Sequence, residues 1–164
     1  MIDPLKNITN GINLMVEKKY SDTGYTDSYV AFLDILGMKN LVNQDYAVLR
    51  SIFNVVEAGK ELYSNTTFTS GDKFISPNQV KMTIMSDTIV LSIDSTREHA
   101  FSKIAGLSSY LIRNLIMEPK LPIFIRGAIT KGDIFHDENI VFGPALVDAY
   151  ILETEVASSM RCII

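Results

Sequence analysis

Two residues, Ser86 and Asp87, separate two β-patterned runs at 79–85 and 88–93. So short a link leaves no room for a crossover, so the runs pair as an antiparallel hairpin with Asp87 at its bend. A second carboxylate, Asp34, closes the apolar run Tyr29-Val-Ala-Phe-Leu33 and is followed by Ile35-Leu-Gly37. A carboxylate at the end of a buried run is costly to desolvate and calls for a partner such as a metal ion. Two of them on neighbouring strands make a site for divalent cations and a polyphosphate. Gly37 adds to this reading, because a missing side chain lets a phosphate approach the backbone amides where a helix starts. The competing reading is that Asp34 caps the next helix and Asp87 is a hairpin-turn residue. Spacing alone leaves both open.

The rest of the chain supplies an order of elements. Leu5, Ile8, Ile12 and Met15 predict an amphipathic helix over 3–19, followed by a polar loop at 20–27. Residues 28–36 predict a central strand, 45–63 a helix and 64–78 a long loop. After the hairpin come a helix at 96–117, which stops before Pro119, and a buried strand at 122–130. Lys131-Gly-Asp133 reads as a turn into 133–136, with a short strand at 139–142, a helix at 143–157 and a last strand from 161. Strand, helix, strand, strand, helix, strand is the βαββαβ ferredoxin-like pattern: an α+β fold with an antiparallel sheet and helices on one face. The first strand and the hairpin would fill the middle of that sheet and bring Asp34 near Asp87.

Length and charge limit the function. The 164 residues make one domain, 1–164, with 47% hydrophobic and 21% charged residues, ordinary for a soluble protein. A formal net charge of -4 argues against a nucleic-acid binder, and Lys18-Lys19 and Lys39 are too sparse for a basic patch. The single cysteine, Cys162, excludes an internal disulfide and a Cys-rich zinc site, and reads as a buried strand thiol. The N-terminus lacks a secretory pattern and no apolar run approaches a bilayer span, so a cytoplasmic protein without membrane insertion is expected. His136, beside Phe135, reads as a surface histidine and His99 as a solvated one. Arg126 could stabilise phosphate charge or pair with a carboxylate.

Four stretches resemble a known family. Phe32-Leu-Asp34-Ile-Leu-Gly37 is similar to the F-x-D-I-x-G metal-binding motif of class III nucleotidyl cyclases. Thr83-Ile-Met-Ser-Asp87 resembles their hairpin motif ending in Gly-Asp, with Ser86 in place of the Gly. Arg126-Gly-Ala-Ile-Thr-Lys-Gly132 is similar to their R-x-G-I-x-x-G stretch, and Phe142-Gly-Pro-Ala-Leu-Val-Asp-Ala149 to the Gly-led helix that follows. The order holds over roughly 28–157. In wording the chain most resembles the bacterial pyrimidine cyclases of Pycsar anti-phage defence.

The resemblance implies conversion of UTP or CTP to a 3′,5′-cyclic monophosphate plus pyrophosphate, whose product acts on a downstream effector protein. It implies two Mg²⁺ or Mn²⁺ ions on Asp34 and Asp87, with the Ile35 carbonyl completing one shell. Gly37, Thr83, Arg126 and Lys131 would contact substrate, and a homodimer would complete the site. In purine cyclases an Asn and an Arg serve the ribose and transition state from positions held here by Val147 and Ile151, and a Glu or Lys reads the purine where this chain has Thr83. Those departures point away from purines. They also leave a rival, a catalytically silent domain that binds a nucleotide or a partner.

Overall fold

The computed structural model describes residues 24–41, 46–65, 69–70, 73–74, 80–119, 121–138, 140–157 and 162–163. The helix expected at 3–19 lies outside them. Strand β1 spans Thr26–Ile35, followed by a one-turn helix α1, Met38–Leu41, and the long helix α2, Tyr46–Asn65. The segment expected as a loop carries a two-residue ladder, β2 at Thr69–Ser70 with β3 at Lys73–Phe74. The hairpin strands β4 and β5 are Lys81–Met85 and Thr88–Asp94, and α3 is Ala100–Ile116. That helix starts later than expected because Asp94 accepts hydrogen bonds from the backbone N–H and hydroxyl of Thr96, folding a turn in its place.

Strand β6 runs unbroken from Ile125 to His136, so Lys131-Gly-Asp133 is strand and not a turn. The apolar runs on both sides and full pairing with β1 hold it extended. Gly132 serves packing: a Cβ there would lie 3.4 Å from that of Ala145. Strand β7, Val141–Phe142, folds back on β6, then α4 covers Pro144–Ile151 and widens into a π-turn at Leu152–Val156. Gly143 makes this entry possible, because its φ is 147° and a Cβ would meet the Asp133 carbonyl at 2.7 Å.

The main sheet has the order β4-β5-β1-β6-β7, and β8, Cys162–Ile163, pairs with β6. β1 is central as expected, but β4 lies at an edge. Pairing is antiparallel except for β8, which runs parallel to β6, against the all-antiparallel expectation. One sheet face presents Ala31, Leu33, Ile35, Ile89, Leu91, Ile93, Ile125 and Ile129 to α2 and α3, which add Ile52, Val56, Ile104, Leu107, Leu111 and Leu115. Each of the Val, Leu and Ile side chains contributes roughly 1.5–3 kcal/mol of burial. Helices do not keep to one face, however. On the other side Val30, Phe32, Val90 and Ile134 pack with Ala145 and Leu146 of α4. Period-two alternation along β1 therefore assigns even residues, Asp34 among them, to this second face. Among the described residues no helix is long and apolar enough to cross a membrane.

Candidate active site

Asp34, the last but one residue of β1, lies opposite Thr88 on one side and Arg126 on the other. The next residue, Ile35, donates its backbone N–H to the Asp87 carbonyl at 2.8 Å, tying the end of β1 to the hairpin bend. The two aspartates thus meet at one corner of the sheet. Ser86 holds the bend in the left-handed region, φ 57°, the conformation that a glycine adopts freely. Gly37 has φ 78° and nothing lies within 4 Å of where its Cβ would be, so the space beside it is open. Ile35 itself is buried at 2% exposure.

A third carboxylate joins them, from the helix face that helical spacing shares among Leu146, Ala149 and Glu153. Glu153 lies in the π-turn, where the Ala157 N–H bonds the Leu152 carbonyl at 3.1 Å, five residues back. Glu153 faces inward at 3% exposure, and its carboxylate pairs with the Arg126 guanidinium. Arg126 also stands 3.8 Å from the Asp34 carboxylate. Of the two roles open to Arg126, carboxylate pairing is the one observed. Burial first, then the charges of Glu153 and Asp87, hold the Asp34 carboxyl above its ordinary pKa, opposed by Arg126. Among the described residues the corner carries more negative charge than Arg126 offsets.

That donor set fits a hard cation. Among the described residues no cluster of three or more His, Cys, Asp or Glu is arranged for a metal. Two carboxylates completed by water and substrate phosphates are, however, the usual way Mg²⁺ is bound. Glu153 is occupied by Arg126, which leaves Asp34 and Asp87 as the available oxygen ligands.

The remaining expected residues separate. Lys131 bonds Asp27 at 3.1 Å and sits 5.8 Å from the Tyr29 ring, pairing in register with Tyr29 on the opposite face from Asp34. It is not gathered into this corner. Thr83 is on the same face as Asp34, but its hydroxyl lies 2.9 Å from His136 Nε2. His136 is not a surface residue. Only 4% exposed, it also meets Ser92 Oγ at 2.7 Å through Nδ1, while Lys81 donates to its carbonyl. Strand β6 outruns β1 after Ile134 and crosses the sheet to reach β5 and β4. Burial first, then Lys81, depresses the His136 pKa to about 4, opposed by Asp137.

No protein family matches the chain, and no curated protein is similar to it. Among solved structures it is similar to the catalytic core of a rhodopsin-guanylyl cyclase with converted specificity, in complex with ATPαS. The TM-score is 0.62 at 11% identity, over 85% of this chain and 76% of that one. The fold is that of a nucleotidyl cyclase catalytic core.

Proposed function

We propose that this protein is a nucleotidyl cyclase, and that its substrate is a pyrimidine nucleoside triphosphate, UTP or CTP. The observation that carries the reading is the meeting of Asp34 and Asp87 at the joined ends of β1 and the hairpin, on a fold shared with a cyclase core. Asp34 and Asp87 would hold Mg²⁺ or Mn²⁺, whose chemistry there is to lower the pKa of the ribose 3′-hydroxyl and screen the triphosphate charge. The Ile35 carbonyl would complete one coordination shell. The open space at Gly37 would take a phosphate, and Arg126 would turn from Asp34 to a phosphate oxygen while staying anchored on Glu153. The 3′-hydroxyl, so acidified, would give its proton to solvent without a protein base; its oxygen would bond the α-phosphorus as the bond to pyrophosphate breaks.

A homodimer is part of this reading. Lys131 is held by Asp27, which leaves Arg126 as the arginine or lysine paired at this corner among the described residues; a second copy would bring others. Val147, Tyr150 and Ile151 are 54%, 52% and 42% exposed along α4, an apolar strip that suits a second copy. By the resemblance of its motifs, the product would be a defence messenger read by a separate effector. One observation favours a silent nucleotide-binding domain instead: the buried Glu153 already claims Arg126.

One experiment separates these readings. Incubation with equimolar ATP, GTP, UTP and CTP plus Mn²⁺, followed by mass analysis, should yield cyclic UMP or cyclic CMP. Dominant cyclic AMP or GMP overturns the pyrimidine assignment. Nucleotide binding with no turnover at any protein concentration selects the silent domain.

A further inference from the structure

Arg126 lies between two carboxylates that differ in freedom. Antiparallel register with Asp34 puts both side chains on one sheet face, and the π-turn after α4 brings Glu153 against them. The guanidinium donates through Nε to Glu153 Oε1, whose side chain is 3% exposed. Its Nη2 stands 3.8 Å from Asp34 Oδ2, on a side chain that is 23% exposed. The other Glu153 oxygen, Oε2, lies 3.1 Å from the Thr154 hydroxyl. Both Glu153 oxygens are thus engaged, and Nε is fixed. The Nη2 contact is longer than a hydrogen bond, so it holds Asp34 by charge alone.

That asymmetry makes the guanidinium a pivot. Its inner edge stays on Glu153, because leaving would strand a buried carboxylate. Its outer edge is free to exchange partners. A phosphate takes the planar fork of an arginine through charge-assisted hydrogen bonds, a stronger grip than the looser contact with Asp34. A divalent cation on Asp34 would face the same guanidinium as a like charge, so the two do not share that carboxylate without repulsion. Cation and guanidinium are therefore competitors for Asp34, and a phosphate removes one of them.

We propose that Arg126 caps Asp34 in the free protein and yields it to a divalent cation as a triphosphate takes the guanidinium, with Glu153 the positioning residue that keeps Arg126 within reach of both. Cation and triphosphate then bind cooperatively, and by linkage each tightens the other by the same factor. The corner resists a lone cation until a triphosphate arrives. The proposal rests on the reading of Asp34 and Asp87 as metal ligands and adds the control of that site.

The test follows Mn²⁺ binding to nucleotide-free protein by electron paramagnetic resonance, in the wild type and in Arg126→Met combined with Glu153→Leu. The double variant removes one charge of each sign, so the net charge of the corner is kept and the cap is lost. It should bind Mn²⁺ about fivefold more tightly than the wild type, the upper range for a part-exposed ion pair. Inorganic triphosphate is the second probe, because it carries no base and is indifferent to the pyrimidine assignment. Its affinity should rise on adding Mn²⁺ by a factor about fivefold larger in the wild type than in the double variant. A pair that served only to hold the fold would, on removal, weaken cation and triphosphate alike. Arg126→Gln with Glu153→Gln, uncharged but still able to hydrogen-bond, repeats the comparison if the apolar pair does not fold. Asp34→Asn should erase the difference in Mn²⁺ affinity, and a difference that survives it overturns the proposal. Equal or weaker Mn²⁺ binding by the folded double variant removes the cap and leaves the metal site standing. A wild type that binds no Mn²⁺, with or without triphosphate, overturns both.

Discussion

The two ends of one sheet face solve the burial of polar groups in opposite ways. At the Asp34 end three carboxylates face one arginine among the described residues, and burial, then the charges of Glu153 and Asp87, raises the Asp34 pKa. At the His136 end every polar group is neutral or bonded: Ser92, Thr83 and the ring satisfy each other, and Lys81 is spent on a carbonyl. The hydrogen-bonded end is complete without a ligand. The charged end is not, and an uncompensated negative corner is where a cation gains most. Chemistry belongs to the second kind of region and shape-keeping to the first.

The largest effect should come from breaking the charged end. Asp34→Ala or Asp87→Ala should lower cyclisation on the order of 10³-fold, since several kcal/mol of transition-state charge stabilisation go with the metals. Circular dichroism should show the fold intact, and full activity in either variant would sink the site. Next, Arg126→Ala leaves Glu153 as an unpaired buried charge and should cost about 3–5 kcal/mol in urea unfolding. Arg126→Met with Glu153→Leu should recover most of that. If the single variant is as stable as the wild type, the pair is not the anchor of the π-turn.

The neutral end predicts an acid response. His136 has a folded pKa of about 4 against 6.5 unfolded, so the unfolded state takes up the proton first. Its contribution is intact above pH 6.5 and is lost as pH falls through the window to about 4, a loss of about 3 kcal/mol. Asp34 has the opposite sign, because its raised pKa favours the folded state on acidification. Urea unfolding across that window should therefore show a shallower acid slope in the His136→Phe, Ser92→Ala protein than in the wild type. Equal slopes would mean that His136 titrates normally. The smallest effect is at the bend itself. Ser86→Gly removes left-handed strain and should stabilise by about 1 kcal/mol in thermal unfolding.

Much of this was legible in the chain. The hairpin followed from two residues between two β-patterned runs, and β1, α2 and α3 from period-two and period-3.6 spacing. Three features were not legible. Gly132 reads as a turn until α4 is seen to need the space beside it. His136 reads as exposed beside Phe135 because nothing local announces that β6 will cross the sheet. Glu153 follows the inward Ala145 and Ala149 at four-residue steps, but nothing local shows that Arg126 will meet it there.

By itself, then, the sequence determined β1, the β4–β5 hairpin, the two long helices and the placing of Asp34 and Asp87 near element ends, because those depend on neighbours within a few residues. Tertiary structure decided which charges share a dielectric: Arg126 with Glu153 and Asp34, Lys131 with Asp27, His136 with Ser92 and Thr83. The reason is that ion pairs and buried hydrogen bonds depend on distance and exclusion of water, and both are set by sheet order and by which face a residue occupies.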